Sequence, residues 1–109
     1  MKRILLTALV LLAHAGAHAE EFYGIPVHPD AAKKEVADVK EIPVATMRYV
    51  SNVKPQDMRA YYKARLPATA KVDDSGGSVM FMYKVGDKNK AVTIQNYFGR
   101  ADVTVVSEK

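Results

Sequence analysis

The chain has 109 residues, a formal net charge of +4, no cysteine and no tryptophan. This length fits a single domain, and the lack of cysteine excludes disulfides and a lipid-modified N-terminal cysteine. A hydrophobic content of 49% argues against wholesale disorder, while so small a charge does not predict nucleic-acid binding.

The first nineteen residues have the three parts of a cleavable export signal. Met1-Lys2-Arg3 is basic, Ile4 to Ala13 is an apolar stretch, and Ala17 and Ala19 form the A-x-A pattern that signal peptidase recognises. The apolar stretch is about half of the ~20 residues that a spanning helix needs. We therefore predict cleavage after Ala19, a periplasmic or secreted mature chain, and no stable membrane association after processing. The mature chain would carry a net charge of +2, because two basic residues leave with the signal.

Residues 20–42 are predicted to be an extended or irregular lead-in. Pro26 and Pro29 fix φ and remove backbone donors. Their spacing matches the P-x-x-P pattern of groove-binding ligands, but we favour an extended segment that lays Ile25 and Val27 on a sheet. Residues 33–42 alternate in charge, which suits a short helix or a poor edge strand, and we favour an irregular strand.

Residues 43–109 are predicted to form a single α+β domain. Period-two alternation from Val44 to Ser51 indicates a half-buried strand. Pro55 suits the first position of a helix and Asp57 complements its dipole. The core face of this helix comprises Met58, Tyr61, Tyr62 and Leu66.

Three further strands complete the predicted domain as a β-meander. They span residues 78–85, 91–98 and 101–107, with short turns between them that favour antiparallel pairing. The predicted fold is thus a two-layer α+β domain in the order β-α-β-β-β. It has an antiparallel sheet of four or five strands with one helix packed on one face.

Two segments resemble a loose group of small exported bacterial proteins of unknown function. Residues 24–31, G-I-P-V-H-P-D-A, are similar to a G-I-P-x-Y-P-G-A segment that follows the signal in that group. Residues 54–66 are similar to its helix pattern S-P-x-x-V-x-x-F-Y-K-x-x-L. His28, Asp30 and Lys54 stand where Tyr, Gly and a Ser or Thr cap are usual. The resemblance implies a strand, a helix and a β-meander, and it implies no activity.

The mature sequence offers little catalytic chemistry. It has a single histidine, His28, between two prolines, and no serine lies in a nucleophile motif. Asp73 and Asp74 are adjacent, but neighbouring residues on an extended chain point apart, and Asp before a turn usually bonds its own backbone. We therefore predict that the protein is not an enzyme and has no cofactor.

Met80 and Met82 are the sharpest candidates for a metal site. They fall on one face of a strand, and thioethers select Cu(I), with Met47, Met58 or His28 as further possible ligands. The competing interpretation is that both methionines fill gaps in the core. Copper handling is accordingly the alternative function.

The leading hypothesis is a non-enzymatic binding or accessory module with a protein partner. If the helix covers one face of the sheet, the other face presents the residues Val44, Thr46, Arg48, Met80 and Met82. The basic helix residues Arg59, Lys63 and Arg65 are read as a solvated face rather than an acidic-partner site. Exposed strand edges make a homodimer conceivable.

Overall fold

The computed structural model describes residues 20–109. The predicted signal peptide, including Ala17 and Ala19 at its cleavage site, lies outside the described residues. Eight strands and one helix follow one another along the described chain. In order they are β1 (Glu21–Phe22), β2 (Ile25–Pro26), β3 (Ala31–Ala37), β4 (Val44–Ser51), α1 (Pro55–Arg65), β5 (Lys71–Ser75), β6 (Ser78–Val85), β7 (Lys88–Tyr97) and β8 (Arg100–Glu108).

The strands form two antiparallel sheets. A small hairpin pairs β1 with β2, and a six-stranded sheet has the order β3-β4-β8-β7-β6-β5. The strand β8 lies between β4 and β7, so the C-terminal strand occupies an inner position of the large sheet. The edges of this sheet are β3 and β5.

The predicted fold class is wrong. The described chain is mostly β, with eight strands in sheets of two and six, and not a sheet of four or five strands with a helix on it. The error lies in the polar segments, because β5 was not recognised and β1 and β2 were read as an unpaired lead-in. Every residue of β5 is exposed, so its sequence has no apolar alternation from which a strand could be predicted.

The edge strand β3 is irregular. Its pairing with β4 shifts register between Ala32 and Glu35, and Lys33 has a φ of 52°. Such a bulge places two residues opposite one and breaks period-two alternation. The irregular strand favoured for this region is therefore present, although its pattern alone did not separate a strand from a helix.

The core lies between one face of the large sheet and a cover made of α1 and the N-terminal segment. Met58 and Tyr62 of α1 are fully buried, and so are Ile25 and Val27, which lie on the sheet as predicted. The helix packs against β7 and β8. Deleting any part of this cover would expose the apolar face of the sheet, so residues 20–27 belong to the same core as the meander.

A chain of hydrogen bonds fastens the N-terminal segment to the core. The hydroxyl of Tyr62 donates to the Pro26 carbonyl at 2.7 Å, and the Tyr49 and Tyr62 hydroxyl oxygens are 2.6 Å apart. The backbone N–H of His28 donates to the Tyr49 hydroxyl at 3.3 Å. Burial raises the pKa of both phenols, so they remain protonated and available as donors.

Candidate binding face

The face of the six-stranded sheet that is turned away from α1 is called the open face. The strand pairing shows which residues share this face, because residues paired across neighbouring strands lie side by side in a row. One row runs Arg48, Thr104, Thr93 and Met80, and the next runs Thr46, Val106, Ala91 and Met82. The alternate residues of the same strands, such as Met47 and Phe81, are buried in the core beneath α1 and the N-terminal segment. The open face thus carries the five residues that the sequence hypothesis named for it: Val44, Thr46, Arg48, Met80 and Met82.

A shallow groove crosses one end of the open face. It has a volume of about 620 Å³ and includes Met80, Met82, Ala91, Val106 and Val44 in its lining. Met82 is 38% exposed and Val44 is 36% exposed, whereas Met80 is half-buried. The floor of the groove is therefore apolar, and two flexible thioether side chains form its centre.

The rim of this groove is cationic. Lys71 lies opposite Met82 in the strand register, and Lys84 follows Met82 two residues along β6. Glu108 also lines the groove, but its carboxylate accepts a hydrogen bond from the Asn89 N–H at 2.7 Å. This hydrogen bond, with help from Lys88 and Lys84, lowers the pKa of Glu108.

Arg48 is committed to partners within the protein. Its Nε and Nη2 donate to the two carboxylate oxygens of Asp102 at 2.9 and 2.6 Å, and its Nη1 lies 3.6 Å from Glu35. The hydrogen bonds to Asp102 raise the pKa of Arg48 further above its ordinary range. This bidentate geometry holds the guanidinium in place, and Arg48 lines a separate hollow beside Tyr97 and not the groove.

The residues considered as further copper ligands do not lie beside Met80 and Met82 in the described part of the chain. Met47 and Met58 are buried in the core on the opposite side of the sheet from Met80 and Met82. His28 is also on that side, with its ring 4.5 Å from the ring of Tyr61 on α1. Within residues 20–109, no group of three or more His, Asp or Glu side chains is placed to hold a metal ion.

His28 does not have the surroundings of a catalytic base. Its Nδ1 accepts a hydrogen bond from the Asp30 N–H at 2.9 Å, and burial lowers its pKa. The Ser51 hydroxyl donates instead to the Asp30 carboxylate at 3.1 Å. A nucleophile and a base must be hydrogen-bonded to each other, and in the described part of the chain Ser51 and His28 are not.

Among the remaining sequence candidates, Arg59 and Arg65 have structural partners within residues 20–109, and Lys63 is exposed on α1. Arg59 pairs with Asp74 at 2.7 Å, and Asp73 lies on the opposite side of β5 in register with Met80. Arg65 donates to the Tyr61 carbonyl and lies over the Tyr61 ring, with Cζ 3.8 Å from the ring centroid. The helix residues thus stabilise the helix and the adjoining edge strand.

Sequence reasoning missed three parts of the groove. Lys71 was missed because β5 has no apolar alternation. In β8, Ala101, Val103 and Val105 alternate with polar residues, but the apolar Val106 falls at a polar position of this pattern, so the pattern alone does not identify Val106 and Glu108 as parts of the open face. The register of the meander could have identified Val106. If each hairpin is given a two-residue turn, Gly86-Asp87 and Phe98-Gly99, then Met82 pairs with Ala91 and Ala91 pairs with Val106.

Comparison with known proteins yields no similarity. No family model matches the chain, and no curated protein or solved structure matches it. The resemblance of residues 24–31 and 54–66 to small exported proteins therefore stays a prediction. No helix within residues 20–109 has both the length and the apolar character needed to span a membrane.

Proposed function

We propose that this chain is an exported, non-enzymatic binding module that acts in the periplasm or outside the cell after residues 1–19 are removed. Its groove on the open face binds an extended, apolar segment of a partner protein that carries carboxylates. The observation that supports this most strongly is the apolar floor around Met80 and Met82 between the cations Lys71 and Lys84.

Exposure of the groove floor favours a binding role. The core side of the sheet is covered by α1 and the N-terminal segment, whereas no element of the described chain covers the groove. Each Å² of apolar surface removed from water contributes roughly 25 cal/mol. Methionines adapt their shape to an irregular partner, so the same side chains suit a peptide whose side chains vary.

The position of β5 supports an extended segment over a compact partner. This edge strand borders the groove at Lys71, and its outer backbone groups have no neighbouring strand. A peptide can add to such an edge through main-chain hydrogen bonds while its side chains fill adjacent pockets. Apolar and acidic side chains that alternate along one face of the peptide, at every second residue, would then meet the methionines of the floor and the lysines of the rim.

The test is calorimetric titration of the chain beginning at Glu20 with a synthetic peptide of repeating Leu-Thr-Glu-Thr, in which Leu and Glu share one face of the extended chain. Met82→Glu should weaken binding about tenfold or more, because it removes an apolar contact and repels the peptide. Val36→Glu is the matched control, since Val36 is 56% exposed on β3 at the other edge of the sheet. Thermal unfolding of both variants verifies that each remains folded.

Two results would oppose the proposal. Equal binding of a Leu and Lys peptide would show that the cationic rim does not select the ligand. Unchanged affinity in Met82→Glu would show that the groove is not the site. Self-association of the chain that is lost in Met82→Glu would instead identify a second copy as the occupant.

A further inference from the structure

A two-residue turn at the far end of β7 presents an aromatic side chain to solvent. Phe98 and Gly99 connect β7 to β8, with Tyr97 paired to Arg100 across the hairpin. Phe98 is 87% exposed, and Tyr97 stacks edge-to-face on it with ring centroids 4.8 Å apart. We call Tyr97, Phe98, Gly99 and Arg100 the distal tip.

Folding alone does not explain a phenylalanine at this position. Phe98 and Gly99 have φ values of 53° and 85°, which correspond to a type I′ turn. The first position of that turn favours Asn or Gly, because a left-handed conformation strains other side chains. Phe98 is therefore strained without contributing to the core.

The other aromatic turn of the chain provides a contrast. Tyr23 and Gly24 connect β1 to β2 with similar φ values of 51° and 79°. There the aromatic residue has internal partners, because the Tyr23 hydroxyl donates to Asp38 at 2.7 Å and its ring packs on Phe22. The ring of Phe98 stacks only on the partly exposed Tyr97 and has no hydrogen bond or core contact within residues 20–109, so most of its surface is left free for a partner.

Cations surround the distal tip. Arg100 and Lys33 line one hollow beside Tyr97, and Lys54 lines another beside Gly99. No carboxylate among residues 20–109 lies within salt-bridge distance of these three side chains, and Arg100 bonds only to the amide oxygen of Asn52 at 3.2 Å. Two carboxylates also line the first hollow, those of Asp30 and Glu35. That of Asp30 accepts from the Ser51 hydroxyl and the Asn52 N–H, and that of Glu35 lies 3.6 Å from Arg48.

We infer that the distal tip docks the protein reversibly on an anionic lipid bilayer. Aromatic rings favour the interfacial region of a bilayer, and each basic residue near an anionic surface adds electrostatic attraction. A convex, protruding tip can enter a fluid interface without needing a matching pocket. One inserted ring with three cations gives weak binding, comparable to or below the marginal anchoring of a single acyl chain.

This inference does not depend on the groove. The groove is lined by Asn89, whereas the distal tip follows Tyr97 at the other end of the same strand. Met80 and Met82 at the centre of the groove are level with Thr93 and Ala91, so about 20 Å of extended strand separates them from Phe98. Docking at the tip therefore leaves the groove free, and either site can fail its test without the other.

The experiment is flotation of the chain beginning at Glu20 with vesicles of phosphatidylcholine, or of equal parts phosphatidylcholine and phosphatidylglycerol. The wild-type chain should float with the anionic vesicles and not with the neutral ones, and added salt should release it. Phe98→Asn should reduce the bound fraction about tenfold, because the apolar ring is lost. Replacing Lys33, Lys54 and Arg100 together with Gln should also release the protein.

Val85→Asn is the matched control, because Val85 is 53% exposed beside the turn at the opposite end of β7. It should bind anionic vesicles like the wild type. Phe98→Asn suits the turn, so loss of binding in this variant does not reflect unfolding, and thermal unfolding verifies this. Equal flotation of wild type and Phe98→Asn, or equal flotation with both kinds of vesicle, would overturn the inference and leave a protein pocket as the partner of Phe98.

Discussion

The hydroxyl of Tyr62 links the helix, the sheet and the N-terminal segment in a single contact. It donates to the Pro26 carbonyl, so the neighbouring Tyr49 hydroxyl donates its own proton to Tyr62. Both phenols have fully buried side chains. Each of these buried polar groups has a hydrogen-bond partner only while both hydroxyls are present. Removal of either hydroxyl leaves a buried group without a partner.

Tyr62→Phe should lower the free energy of unfolding by about 1–3 kcal/mol, because the Pro26 carbonyl and the Tyr49 hydroxyl each lose a partner in the core. Urea denaturation of the two proteins measures the difference. Tyr83→Phe is the control, since the half-buried Tyr83 hydroxyl makes no hydrogen bond within residues 20–109. A Tyr62→Phe protein as stable as Tyr83→Phe would refute the role of this network.

His28 should make stability depend on pH in a mildly acidic range. Its pKa in the folded protein is lowered from 6.5, mainly by burial, with Arg65 lowering it further and Asp30 opposing the shift. The unfolded chain therefore binds the proton first as pH falls. The stabilisation from neutral His28 is complete above about pH 6.5 and is lost as pH falls toward the folded pKa.

The variant His28→Asn separates this effect from other titrations. An Asn side-chain oxygen can accept the hydrogen bond from the Asp30 N–H but does not titrate. Between pH 7 and pH 5 the wild type should lose more unfolding free energy than the variant, as measured by denaturation at each pH. If the free energy of unfolding falls equally with pH in the wild type and in His28→Asn, then titration of His28 does not contribute to the pH dependence of stability.

At the scale of the elements, Phe98 makes the turn of the β7–β8 hairpin less stable than an Asn-Gly turn would be, because its φ is 53°. Phe98→Asn should raise the free energy of unfolding by about 0.5–1 kcal/mol, because Asn-Gly is the preferred type I′ sequence. Gly99→Ala should lower it by about 1 kcal/mol or more. A Cβ at Gly99 would meet no atom within 4 Å, so that loss reports backbone conformation alone. Thermal unfolding measures both changes, and a destabilised Phe98→Asn would show that the ring has a structural role after all.

The elements that could be predicted are those whose burial alternates. Residues 44–51 and 78–85 alternate between core and surface, so their bounds agree with β4 and β6. The helix begins at Pro55, as the proline and Asp57 indicate. In contrast, β3 and β5 lie at the edges of the sheet, where few side chains need to be apolar, and pairing with β4 and β6 decides their structure.

The same limit applies to the candidate site. The alternation of β6 predicts that Met80 and Met82 share a face, but it does not say whether that face is the core. That depends on where α1 and residues 20–27 pack, since these segments cover the side of the sheet with Phe81 and Val92. The cationic rim depends in addition on the register between strands, which no local pattern encodes.

At the scale of the whole molecule, two surfaces lie at opposite ends of one rigid sheet. The distal tip would hold the protein at an anionic bilayer, and the centre of the groove would lie about 20 Å along the sheet from it. Arg48 and its partners Asp102 and Glu35 occupy the sheet between the two ends. This arrangement suits an accessory module that presents a partner segment close to a membrane surface.

The central claim is that the groove around Met80 and Met82 is the binding site. It is tested most directly by methyl NMR of the chain from Glu20, labelled with ¹³C at its methionine methyl groups, during titration with the Leu and Glu peptide. Met47 and Met58 are buried beneath the other face and serve as internal references. We expect the signals of Met80 and Met82 to shift on binding while those of Met47 and Met58 stay in place. Shifts confined to Met47 and Met58, or no shift at saturating peptide, would contradict the account.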